Sequence, residues 1–219
     1  MNLDYYSNPD TANDKWIVDL TNGKTNGYFV EAGAAEGWGD TYVLEKQLSW
    51  EGICIEPTNT FFEKLIKNRK ICENVCLYSE EKEVDFIECD YEAEAIVLLD
   101  STKRVGYMGW FSGIDKHLYP KFKSIHDRGE IIKKQCVTLE SLLDKHNAPD
   151  IIDYISLDTE GSEYEILKNF PFNKYNVMAF SIEGYRCSEL LINTGYIEVK
   201  NKFCTVPYEH FYIHPGMNT

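Results

Sequence analysis

The chain has 219 residues, 43% hydrophobic and 14% aromatic, which suits one folded domain with one substantial core and excludes a disordered chain. Its formal net charge of −14 argues against a general nucleic-acid binder, because neutralising phosphates needs excess Lys and Arg. No apolar run approaches the ~20 residues of a membrane span, the N-terminus has no signal layout, and the seven scattered cysteines have no zinc spacing, so a cytoplasmic protein with reduced thiols is expected.

Elements alternate along the chain. "GYFVEA" (27–32) reads as a buried strand that stops at Glu31 and opens into a turn of glycines and alanines. "TYVLEKQL" (41–48) carries Tyr42, Val43, Leu44 and Leu48 at helical spacing. "EGICIEP" (51–57) is a second short apolar run, ended by Pro57. "TNTFFEKLIKNRK" (58–70) predicts a helix with a Thr60–Glu63 capping box and a face of Phe61, Phe62, Leu65 and Ile66. "NVCLY" (74–78) reads as a third strand, and the alternating "EVDFIE" (83–88) as an extra hairpin strand.

Residues 90–135 lack clean periodicity; "YMGWFSGIDKHLYPKF" mixes glycine, aromatics and proline. Regularity returns with "VTLESLLDKH" (137–146), a helix capped by Thr138. "IIDYISLD" (151–158) is a strand, and "SEYEILKNF" (162–170) a helix with a Ser162–Glu165 capping box. "VMAFSIE" (177–183) is a further strand. "GYIEVKN" and "FCTVPYEHFYI" form a closing hairpin.

Alternation of this kind implies α/β architecture: a doubly wound, mainly parallel sheet with helices on both faces and a C-terminal antiparallel hairpin. The expectation is one domain over residues 1–219, with 90–135 an insertion that shapes an acceptor site. In such sheets ligands sit at the carboxyl ends of the strands. Acidic residues occupy four of the five edges that can be read: Glu31, Glu56, Asp158 with Glu160, and Glu183.

The first turn is G-x-x-x-G (Gly33, Gly37) rather than the dinucleotide G-x-G-x-x-G. Glu31 and Glu36 bracket it, and carboxylates repel a pyrophosphate but welcome an amine. Glu56 lies 25 residues after Glu31 at the end of the second strand, where an acid can accept both hydroxyls of a ribose. An unphosphorylated nucleoside with a cationic amino-acid tail satisfies both features, and S-adenosylmethionine is such a molecule.

The chain at this point resembles the FkbM-type methyltransferases. The resemblance rests on "GYFVEAGAAEGWGDTYVLEKQLSWEGICIEPTNTFFEKL", followed by "VTLESLLD" and "IDYISLDTEGSEYEILKNF", and covers roughly residues 14–183. It implies a class I, Rossmann-like enzyme that uses S-adenosylmethionine on hydroxyl oxygens of sugars and secondary metabolites. It further implies that Glu31, Gly33 and Gly37 line the methionine end, with Thr41 near its carboxylate. Glu56 would hold the ribose, Pro57 would pack near adenine, and Leu77, Tyr78 and Ser79 would flank the base. Asp158 would sit near the methyl group.

Asp158, Glu160 or Glu183 could serve as the base for a hydroxyl acceptor, with His117 and His126 behind them. The same three carboxylates could instead hold a divalent metal through oxygen, which is the less favoured reading. Glu163 and Glu165 read as helix-start charges. Trp110, Phe111 and Ser112, in glycine-flanked "MGWFSG", are candidates for an acceptor wall. The expected partner is a small-molecule or glycan acceptor, not nucleic acid or membrane; oligomeric state and the acceptor's identity are not encoded in any motif. Two other functions fit the architecture: a nicotinamide-dependent oxidoreductase, against which the glycine pattern speaks, and a nucleoside-binding module without catalysis.

Overall fold

A computed structural model describes residues 3–89, 94–99 and 102–217. Seven strands make the main sheet: β1 (Tyr28–Ala32), β2 (Glu51–Ile55), β3 (Cys72–Glu73), β4 (Tyr154–Leu157), β5 (Ala179–Glu183), β6 (Ile197–Val199) and β7 (Glu209–Ile213). Their spatial order is β3-β2-β1-β4-β5-β7-β6. All neighbours pair in parallel except those made by β7, which runs antiparallel between β5 and β6. The architecture is α/β and Rossmann-like, and the strand order reverses between β1 and β4.

Helices cover both faces: α1 (Asn13–Leu20), α2 (Tyr42–Gln47), α3 (Asn59–Asn68), α4 (Leu139–Lys145), α5 (Glu163–Leu167) and α6 (Ser188–Asn193). Because successive strand residues point to opposite faces, each strand feeds two cores. Val30, Ile53, Ile155 and Leu157 pack with Leu142, Leu143 and Ile166. Phe29, Cys54 and Tyr154 pack with Trp16, Ile17, Val43 and Leu44. Double burial explains why these strands read as unbroken apolar runs.

A second sheet runs Cys76–Leu77, Glu130–Val137, Lys82–Glu88, Gly113–Ile114. Glu94–Leu99 and Thr102–Tyr107 form a separate antiparallel pair. The aperiodic region therefore contains strands, and Glu130–Val137, which begins in it, escapes a period-two reading because its apolar and charged residues come in pairs.

Several sequence expectations change here. "NVCLY" is not the third main-sheet strand; Cys72–Glu73 pairs with β2, and Cys76–Leu77 joins the second sheet. The helix α3 starts from Thr58, two residues before the expected cap, and Ile66 is exposed while Phe61 and Leu65 are buried. Ser162 sits at the start of α5 without a side-chain cap. The strand expected over 151–158 breaks at Asp153, whose carboxylate accepts from Tyr28 N at 2.9 Å and Lys24 Nζ at 2.6 Å. Helix α1, not read from the sequence, follows Ala12, whose methyl side chain cannot cap it and whose φ is 50°. Thr138 caps α4 as expected, its side chain accepting from Ser141 N at 3.0 Å.

Candidate active site

Register assembles the site. Ala32 pairs with both Ile55 and Leu157, and Leu157 with Ile182. The next residue along each strand is Gly33, Glu56, Asp158 and Glu183, so these four form a row across the sheet's carboxyl edge. They line a cavity of about 810 Å³, a size suited to a small ligand.

At the floor, Gly33 has φ +84°, and a Cβ there would meet Asp158 O at 1.8 Å. Only glycine lets β1 turn this close to β4. Glu56 is buried yet faces the cavity. Its Oε1 accepts from Thr58 N at 2.7 Å and its Oε2 from Ala35 N at 2.9 Å. Each oxygen retains a second lone pair. Burial raises its carboxyl to about 7, against the pull of those hydrogen bonds. Pro57, Leu77 and Phe86 line the same side of the cavity.

Glu31 also reaches the cavity wall, but its carboxylate is engaged behind the turn. Oε1 accepts from Asp40 N at 2.9 Å; Oε2 accepts from the Thr41 hydroxyl and from Arg69 Nη1 at 2.9 Å. Arg69 is itself buried and donates to Thr41 Oγ1 at 2.6 Å, Gly37 O at 3.3 Å and Glu45 Oε2 at 3.2 Å. Thr41 and Gly37 thus brace the turn from behind, and neither lines the cavity. Tyr78 and Ser79 also lie off the cavity lining: Tyr78 Oη pairs with His117 Nε2 at 3.0 Å and Ser79 donates to Glu165 at 3.3 Å. Of the three residues expected to flank a base, Leu77 alone lines the cavity.

At the other end Asp158, Glu160 and Glu183 bring carboxylate oxygens within 4.8 Å of one another. Asp158 is open to solvent through the cavity although protein surrounds its carboxylate, and burial followed by the charge of Asp40 raises it to about 7. Burial lifts Glu160 and Glu183 well above the usual carboxylate range, reinforced at Glu160 by the charges of Glu183 and Asp158 and at Glu183 by those of Asp158 and Glu163. Trp110, Phe111 and Ser112 line this cavity too, with Lys121. His117 and His126 do not line it, and burial lowers both.

Asp40, Asn13 and Glu209 escaped the sequence reading, and Glu163, read there as a helix-start charge, has a further part. Glu163 is a brace: its Oε1 accepts from Thr159 N and Oγ1 at 2.9 Å and from Gly161 N at 3.1 Å. That holds Glu160 at φ 56°, a left-handed conformation rare outside glycine. Asp40 accepts from Ser156 Oγ at 2.7 Å, and Asn13 Nδ2 donates to both Asp40 and Glu209 at 2.8 Å. Asn13 and Glu209 come from opposite ends of the chain, so no local motif marks them.

A glycine turn after β1, an acid after β2 and a row of carboxylates at the switch point define a nucleoside-binding Rossmann-like protein. The profile of the methyltransferase FkbM domain matches residues 31–190. The chain belongs to that family of methyltransferases, which implies S-adenosylmethionine as methyl donor. Among solved structures it is similar to a human methyltransferase 10 domain containing protein, at 13% identity and TM-score 0.40, over 91% of this chain and 77% of that one. It is also similar to a delta-N METTL16 MTase domain, at 14% identity and TM-score 0.40, over 91% and 78% respectively. No curated protein matches. Among the described residues no helix is long and apolar enough to cross a membrane.

Proposed function

We propose that the protein is an S-adenosylmethionine-dependent O-methyltransferase acting on a hydroxyl of a small-molecule or glycan acceptor. The observation that carries this reading is the row Gly33, Glu56, Asp158 and Glu183 along one cavity. Gly33 gives backbone access, Glu56 offers two lone pairs to ribose hydroxyls, and Asp158 offers a carboxylate to a cationic centre. Bound S-adenosylmethionine supplies a methyl group on a sulfonium. The protein's own work is to align the acceptor and receive its proton. Alignment supplies most of the help in such a displacement. Glu160 and Glu183, with carboxyls raised by burial, are suited to take a hydroxyl proton. Trp110 and Phe111 supply apolar surface for the acceptor's body, and the region 90–135 is read as the part that selects it.

S-adenosylhomocysteine tests the donor site without needing the acceptor. At a hundred times its Kd a ligand stabilises the fold by about 2.7 kcal/mol, about 5–10 °C in melting temperature for a domain of this size. The expected result is a saturable upward shift; no shift at millimolar ligand overturns the assignment.

A further inference from the structure

We infer that Asn13, Asp40 and Glu209 form a pocket for a protonated amine carried by the acceptor, which makes the acceptor an amino sugar or another amino alcohol. The pocket stands on side chains alone; its assignment to an acceptor rests on the methyltransferase reading.

An unpaired buried oxygen is the first support. Asn13 Nδ2 donates to Asp40 Oδ2 and to Glu209 Oε1, each at 2.8 Å. Only the nitrogen of an amide can serve two carboxylates, so the orientation of this amide is fixed and Oδ1 stands beside them as an acceptor. Asn13 is 4% exposed and lines the cavity, and its Oδ1 has no hydrogen-bond partner. A buried acceptor without a donor is costly and calls for an explanation. Asp40 and Glu209 line the cavity as well. All three side chains offer oxygens, so they suit a group that donates several hydrogen bonds, and an ammonium brings three.

Charge separates an amine from a hydroxyl. Protein surrounds the Glu209 carboxylate, and burial pushes it well above the usual range, with the charges of Asp40 and Asp158 acting the same way. Lys121 is the one basic side chain among the described residues that line the cavity. A neutral hydroxyl would satisfy Asn13 Oδ1 and leave the excess of negative charge standing. A cation offsets that excess and gains charge-assisted hydrogen bonds.

Strand order places the amine on the acceptor. Gly33, Glu56 and Asp158, the donor's contacts in the proposed function, follow β1, β2 and β4. Glu209 opens β7, on the far side of β5, and pairs directly with Glu183 across the antiparallel ladder. Residues paired in this way share a face, with Cα atoms about 4.5–5.5 Å apart. An acceptor whose hydroxyl meets Glu183 therefore brings a neighbouring substituent to Glu209. An amine one or two carbons from the reacting hydroxyl fits that spacing, as in a 2-amino-2-deoxy sugar.

The test is calorimetric titration of the full chain, saturated with S-adenosylhomocysteine, with sugars matched in all but one group: glucosamine against glucose, galactosamine against galactose, and mannosamine against mannose. In at least one pair the amine is expected to bind about ten- to a hundred-fold more tightly. Glu209→Gln keeps an oxygen for Asn13 Nδ2 and should bring that pair within a few-fold of each other. Asn13→Ala, which removes Oδ1 without touching a charge, serves the same purpose should Glu209→Gln lose its cooperative unfolding. No preference for the amine in any pair, absence of binding included, or a preference unchanged in the variants, overturns the inference. If Glu209→Gln instead weakens S-adenosylhomocysteine by about tenfold or more, the pocket belongs to the donor's own ammonium and the inference is overturned too. A parent that fails to bind S-adenosylhomocysteine sinks the donor reading, and the same titrations on the free chain then decide the amine pocket by itself.

Discussion

Glu56 has both oxygens committed to backbone amides, from Ala35 in the glycine turn and Thr58 at the start of α3. It therefore ties the turn to the second strand before any ligand arrives. Burial raises its carboxyl to about 7 in the free protein. The ionised form costs the free fold stability: its contribution is full below about 4.5, the unfolded value, and is lost as pH rises to about 7. Ribose hydroxyls donate hydrogen bonds, so a nucleoside binds the ionised form best. Affinity for S-adenosylhomocysteine should therefore fall as pH drops below 7, by up to about tenfold per unit. Calorimetry across pH 5.5–8.5 checks this; Glu56→Gln should bind about ten- to a hundred-fold more weakly at pH 8 and lose that part of the slope that Glu56 supplies. The place of Glu56 at the sheet's edge was legible because strand-end position and Pro57 are local signals. The partner of Glu31 was not, since Arg69 lies 38 residues away and reads as one more helix-end charge.

Helix α3 does more than cover the sheet. Its C-cap residue, Arg69, reaches back to β1, the glycine turn and α2 through Glu31, Gly37, Thr41 and Glu45. Removing one partner of a buried ionic network leaves uncompensated charge, typically costing about 3–5 kcal/mol. Arg69→Met should therefore lower the urea midpoint sharply and, in whatever remains folded, weaken nucleoside binding. Arg69→Lys should recover only part of the loss, because an ammonium lacks the planar fork that serves several acceptors. An unchanged midpoint in Arg69→Met would reduce the network to packing. The helices with clear apolar spacing, α3 and α4, could be read from sequence. The start of α5 at Ser162 could be read too, though not that its side chain leaves the cap unmade, and α1, which follows Ala12, carries no capping side chain to read. Of the second sheet, "EVDFIE" showed its alternation and "NVCLY" was placed in the wrong sheet, while Gly113–Ile114 has only two residues, too few to show a period.

At the scale of the molecule the row along the sheet edge has two sources. Gly33 and Glu56 come from the strands before residue 60, and Asp158, Glu160 and Glu183 from those after 150. Donor binding and acceptor chemistry should separate along that line. Glu183→Gln is expected to hold S-adenosylhomocysteine within a few-fold of the parent and to lower methyl transfer about a hundredfold or more. Radiolabelled methyl incorporation over a panel of sugars and hydroxylated metabolites measures the second quantity. Parental turnover in Glu183→Gln would remove Glu183 from the chemistry. The parallel sheet and its acidic edge could be read in the order of the elements, because strand ends converge wherever parallel strands stay in register. Which acids are ligand-facing and which are braces depends on packing from other parts of the chain, and needed the structure.

Asn13, which also holds Asp40, donates to Glu209 across 196 residues of sequence, and Asn201 donates to Thr11 O across 190. Contacts this distant close the longest loops in the fold, and loop closure of that kind delays folding more than it weakens the product. During synthesis the cavity's N-terminal rim, including Asn8 and Thr11, emerges long before the strand that fastens it. The parallel strands can therefore be in place while the ligand chamber is still open, until the segment around Glu209 meets the one around Asn13.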